Sequence, residues 1–357
     1  MRKAALLLLL VSFILPACKG DPPPPVKAEP RRPQPVPSDF VVNEFFTDDT
    51  KVSGVAGDAS VNVGSLADGG ATEPGGPPGD VRKVRLVEAG SEPRSARRYT
   101  FTAGKTETRV GSVRVAVTVE AAGQPPQQQP QPALELTMKL TPKAPTKGGF
   151  LFDVKLDKVG LAEGQGLDPR SAAEAQKQLA PLSGLGARFD VSSRGHVGEF
   201  AFAGDAKAAK AGGAEIIGLL QQTLEFVTVP FPEEPIGVGA TWEDTNVSSD
   251  QGAKVKTITL FTLKEWSGDS GVVTADIKRS APRTPLREPR MPPGTTLEID
   301  GKGSYTFNVK LDRPSTKVTG ESATAAKIQA PGQGGKPGQS ILQSIKVRHA
   351  LDTPASK

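Results

Sequence analysis

A chain of 357 residues with 44 basic and 39 acidic side chains carries a net charge of only +5. That is too little for the concentrated basic stripe of a nucleic-acid binder, and nucleic acid is not an expected partner. One cysteine excludes an internal disulfide, and two histidines far apart leave no spacing for a structural zinc.

In chain order, Arg2 and Lys3 form a short positive start, Ala4 to Ile14 an almost wholly apolar run, and Leu15-Pro16-Ala17-Cys18 follows at once. The arrangement reads as a secretory leader, too short to span a bilayer as a stable helix. Leu15 and the small Ala17 before Cys18 resemble the lipobox of bacterial lipoproteins, although Pro16 departs from the usual small or β-branched residue. The resemblance implies that residues 1–17 are a signal peptide removed at Cys18, that Cys18 carries acyl chains, and that a membrane is the first partner. Each buried methylene of such a chain contributes about 0.8 kcal/mol of anchoring. Lys19 stands where an aspartate would favour the inner membrane, so the resemblance points to the outer membrane of a bacterial envelope.

Residues 18–80 are expected to be a lipid-anchored flexible tether. Asp21 to Pro37 is proline-rich and favours extended polyproline II, and Val52 to Asp80 is rich in Gly, Ala, Asp and Ser, which offer little to bury. A flexible chain of about 60 residues spans roughly 40 Å. One apolar island, Phe40, Val41, Val42, Phe45 and Phe46, fits an edge strand of the domain, a short partner-binding peptide or a disordered segment.

From 81 to 352 the pattern predicts an antiparallel β-rich domain, with 353–357 a disordered tail. Val113, Val115, Val117 and Val119 alternate with Arg114, Ala116, Thr118 and Glu120. Leu134, Leu136, Met138 and Leu140 do the same, as do Phe150, Phe152, Val154 and Leu156. Side chains on a strand point to opposite faces, so each run has one dry and one wet face. Further strands are expected at 189–191, 197–202, 241–247, 255–263, 272–277, 297–311, 316–328 and 341–347, with Tyr305 and Phe307 on the clearest apolar face. Helices are expected over 171–182, after Asp168-Pro169, and over about 206–226 with Ile216, Ile217, Leu220, Leu224 and Val227 on one stripe. The predicted class is mainly β (α+β): a large curved antiparallel sheet or half-barrel with two helices packed on one face.

The second helix runs into Val229-Pro230-Phe231-Pro232-Glu233-Glu234-Pro235-Ile236-Gly237-Val238-Gly239-Ala240-Thr241-Trp242. Prolines forbid continuation of the helix, so the chain must leave it extended. A helix, this proline-rich exit and a β meander resemble a group of bacterial envelope proteins of unknown function, many of them lipoproteins. In outline these are similar to periplasmic lipoprotein carriers, whose curved sheet wraps helices around an apolar cavity. The resemblance implies either a lipid-binding cavity or a closed core, with Trp242, Phe150, Phe152, Tyr305 and Phe307 as its walls or its filling.

Three lures carry little chemistry. Gly268-Asp269-Ser270-Gly271 spells a protease tetrapeptide but sits where a turn is expected, with only His196 before it. Gly332 to Pro337 has the wrong spacing for a phosphate loop and a proline where the metal-binding hydroxyl belongs. His196 and His349 make no metal motif, and no cofactor is expected. Arg279, Arg283, Arg287 and Arg290 stand among prolines, as an exposed loop or as a contact for an anionic partner, since arginine forks match phosphate and carboxylate. The expected role is a non-enzymatic envelope lipoprotein binding an apolar ligand. The alternatives are a solid-core structural or protein-interaction module and, last, a hydrolase with an unrecognised site, either two acidic groups or a Ser/His pair.

Overall fold

The structure, a computed structural model, describes residues 82–121, 125–130, 133–146, 148–162, 168–203, 214–250, 253–286, 292–332 and 338–354. The leader, Cys18, the tether with its Phe40–Phe46 island, Arg287, Arg290 and the tail lie outside the described residues.

Thirteen strands form one antiparallel sheet: β1 (Lys83–Glu88), β2 (Glu107–Ala121), β3 (Gln127–Pro130), β4 (Leu134–Thr146), β5 (Gly149–Leu161), β6 (Gly186–Ser192), β7 (Val197–Ala203), β8 (Thr241–Asp250), β9 (Ala253–Ser267), β10 (Ser270–Pro285), β11 (Thr296–Lys310), β12 (Arg313–Ala330) and β13 (Gln339–Asp352). Their order is β1-β8-β9-β10-β11-β12-β13-β2-β4-β5-β6-β7, with β3 paired to β2 off this path. Two meanders, β8–β13 and β4–β7, are therefore welded by β2, which pairs β13 on one side and β4 on the other. The sheet is open, and β1 and β7 are its ends. The expected mainly β class, with a large antiparallel sheet and two short helices beside it, is what the chain adopts.

β3 has no counterpart among the expected strands. Its residues, Gln-Gln-Gln-Pro, have no apolar alternation. They pair because β4 covers β2 only over Glu107–Val113, leaving Ala116–Val119 with open backbone groups for Gln127–Pro130. The strands also run longer than their apolar cores, since polar ladders continue past the last buried side chain. Two helices accompany the sheet. The first, α1 (Pro169–Leu179), starts at Asp168, whose carboxylate accepts from the amides of Arg170 and Ser171 at 3.0 Å each, and it ends in a 3-10 turn over Ala180–Leu182. The second, α2, is described over Ala214–Glu225 and buries Ile217, Leu219, Leu220 and Leu224. Among the described residues no helix is long and apolar enough to cross a membrane.

The strands alternate as the pattern predicts. Trp242, Phe261, Ala275, Tyr305, His349 and Val113 form one row across the inner face, at Cα partner positions on β8, β9, β10, β11, β13 and β2, with Gly320 of β12 between Tyr305 and His349. A side chain at Gly320 would collide with the Tyr305 ring, so the ring occupies the space that the glycine leaves. A second buried cluster, including Val255, Ala281, Leu297, Ile299, Ile328 and Ile341, lies further along the same face.

The helix exit ties this inner layer down. Val229, Phe231 and Ile236 are fully buried; Phe231 N donates to Arg194 O at 2.7 Å and Val229 N to the Tyr99 hydroxyl at 3.0 Å. The prolines thus hold an extended segment against the β6–β7 turn. Gly195 in that turn has φ 89°, and a Cβ there would strike the Val229 carbonyl, so this glycine serves both the turn and the close approach.

Candidate functional site

The residues proposed for a cavity wall come together, and they fill the space. Trp242 and Phe152 have no exposed surface, and Tyr305 and Phe307 are almost as deeply buried; Phe150 is half-buried at the margin. Rings touch in a chain, from Phe150 and Phe152 to Phe101 and Tyr99, on to Phe231 and Trp242, and then to Phe261 and Phe307, with neighbouring centroids 4.9–6.3 Å apart. Trp242 Nε1 donates to Pro230 O at 2.7 Å, so even its polar edge is used by the protein. The dry side of this part of the sheet is a packed core.

Two polar side chains, Arg109 and His349, are built into that core, and a third, Arg82, lies partly exposed at its edge. Arg109, fully buried on β2, donates from Nη2 to Pro314 O at 2.8 Å, from Nε to Ser315 O at 3.0 Å and from Nη1 to Thr108 O at 2.9 Å. Arg82, just before β1, grips Asp244 of β8 at 2.7 Å and reaches Val197 O of β7 at 3.4 Å, linking the two ends of the open sheet. His349 Nδ1 lies 3.1 Å from the Tyr305 hydroxyl, which also contacts Ser322 Oγ at 3.4 Å, while His349 Nε2 is buried with no partner among the described residues.

Burial pushes the His349 imidazole down to about 4 and the Tyr305 phenol up to about 12. The His349 shift has a sign for stability. The unfolded chain binds a proton near the ordinary histidine value of about 6.5 while the folded chain does not, so stability is complete above that pH and is lost as pH falls toward 4. The expected loss is on the order of 3 kcal/mol between pH 7 and pH 4. In His349→Phe, where the new ring can stack on Phe226, that part of the acid sensitivity should vanish. Urea midpoints of both proteins across this range measure it, and parallel curves would show that His349 is not the titrating group.

The lures keep their ordinary roles. Ser270 opens β10 beside the Gly268 turn, and its hydroxyl donates to Ser267 O at 3.2 Å, with neither histidine within hydrogen-bond reach. His196 sits in the β6–β7 turn, held down to about 4 by burial first and by the Arg82 charge second. Among the described residues no three Asp, Glu, His or Cys side chains converge on a metal-sized space. The arginine cluster is divided. Arg279 lies within β10 on the inner-facing register of Ala275 and Ile277, half-buried, and Arg283 is exposed on the same strand, so neither belongs to a loop.

The wet face holds a feature that sequence reasoning missed. A groove of about 1000 Å³ crosses the outer face at right angles to the strands, from Lys264 on β9 to Glu135 on β4. One side is a single cross-strand row, Thr274, Thr306, Thr319, Ala350, Ser112 and Glu135, each the Cα partner of the next. The other side is the adjacent row, Asp276, Ser304, Glu321, Arg348 and Arg114. Glu321 pairs with Arg348 at 3.0 Å, and Arg114 forms no ion pair among the described residues.

A family of unknown function, DUF6263, has a model that matches residues 218–316. The matched stretch runs from within α2 through the proline-rich exit and β8–β11 to the start of β12, so it includes Trp242 and part of the groove. No curated protein matches the chain.

Proposed function

We propose that this protein is a lipid-anchored, non-enzymatic component of a bacterial cell envelope, a solid-core module that works by presenting its polar face to another envelope component. The observation that supports this reading over a lipid carrier is the packing of Trp242, Phe152, Tyr305 and Phe307, which leaves their part of the inner face without room for an acyl chain. The leader and Cys18 supply the anchor, and the residues between Cys18 and Arg82 supply the reach.

Two measurements test the two halves. Cys18→Ser should move the protein from the membrane to the soluble fraction and lower the mature mass by that of the acyl chains; unchanged partition and mass would remove the anchor. Photo-crosslinking from the outer face in intact cells should enrich a discrete envelope component. Stoichiometric lipid extracted from the purified protein would return the reading to an apolar-ligand carrier.

A further inference from the structure

The outer groove has a repeat, and the repeat identifies an occupant. Thr241, Thr262, Thr274, Thr306 and Thr319 follow one another as Cα partners on β8, β9, β10, β11 and β12, and after Ala350 of β13 the same row reaches Ser112 of β2. Hydroxyls thus recur at the inter-strand spacing of about 4.8 Å, on six of seven adjacent strands. None of these six hydroxyls makes a hydrogen bond to another described residue, and of the charged side chains in the groove lining only Glu321 and Arg348 are engaged in an ion pair among the described residues. From Thr274 to Glu135 the row forms one side of the groove, a run of about 24 Å at that spacing.

We propose that this groove binds a linear, hydroxyl-rich polysaccharide of no net charge, laid across the strands with about one sugar per strand. The proposal rests on the reading of the protein as a module acting through its polar face, and names what that face takes. A pyranose chain advances by about one strand spacing per unit, whereas an extended peptide advances only about 3.3 Å per residue and falls out of step. The charges of the lining balance, with Lys264, Arg114 and Arg348 against Glu135, Asp276 and Glu321. Such a lining does not select a polyanion or a charged lipid surface. No aromatic side chain forms the floor, because Tyr305 and His349 turn inward, so binding depends on many modest hydrogen bonds and grows with chain length.

The test is calorimetric titration of the full mature chain in detergent with chitobiose, chitohexaose and cellohexaose, with sedimentation on purified peptidoglycan sacculi beside it. At least one hexasaccharide should bind at least tenfold more tightly than the disaccharide. The triple variant Thr274→Val, Thr306→Val and Thr319→Val keeps the β-branched shape and should lose at least tenfold in affinity at an unchanged melting temperature. No binding of either hexasaccharide, no dependence on length, or a triple variant that binds like the parent overturns the proposal. A protein captured by crosslinking with no glycan bound would overturn the polysaccharide and leave the broader reading standing. Co-purified lipid would strike the broader reading alone.

Discussion

Trp242→Ala should cost about 3–5 kcal/mol, the range for deleting a fully buried large aromatic. Trp242 has no exposed surface, lies 5.7 Å from the Phe231 ring and 5.6 Å from Phe261, and donates to Pro230 O. Its removal opens a void where the helix exit meets β8, and it strands a buried carbonyl in a segment whose prolines have no amide with which to compensate. Total stabilities of domains are about 5–15 kcal/mol, so a large share would go at one position. Urea denaturation followed by circular dichroism should show an earlier midpoint with an unchanged slope. A loss below about 1 kcal/mol would mean that the exit segment collapses freely onto β8.

Arg109→Met should be similarly damaging, for a different reason. Methionine matches the length of the stem, but the guanidinium serves the carbonyls of Thr108, Pro314 and Ser315, which stay behind without donors. Leaving buried polar groups unpaired costs about 1–3 kcal/mol each, and breaking a buried charged network about 3–5 kcal/mol. Arg109→Lys keeps the charge but cannot fork, so it should recover only part of the loss. The same denaturation measurement ranks them parent, Lys, Met; a Met variant as stable as the parent would show that the start of β12 does not depend on this side chain.

Both residues show how much local sequence determines and how much it leaves to distant parts of the chain. Trp242 was expected at the mouth of a strand after a proline-terminated helix, and it is there, because proline chemistry is local. Whether it lined a cavity or filled one depended on rings from Tyr99, Phe101, Phe231 and Phe261, which approach it from separate parts of the chain. Arg109 falls in the same alternation as the dry-face Val113 and Val115, yet its charge argues against burial there. What permits that burial is the start of β12, some 200 positions later, arriving with spare carbonyls.

The arginine stretch was legible only as composition. Proline and arginine between 279 and 293 suggested a loop, yet β10 runs to Pro285, since its pairing with β11 continues through a bulge between Ala281 and Thr284. The threonine row was invisible for a related reason. Each threonine is unremarkable within its own strand, and the row exists only once register places the strands side by side.

By itself, the order of residues determined that the domain is β-rich, which face of most strands is dry, and where the helix before Pro230 must stop, because alternation and proline geometry act over a few bonds. Tertiary structure alone decided that β2 joins two meanders, that the aromatic side closes into a solid core, and that scattered hydroxyls align across the outer face. Those outcomes depend on which distant strands become neighbours and in what register, and no short stretch of sequence encodes that distance.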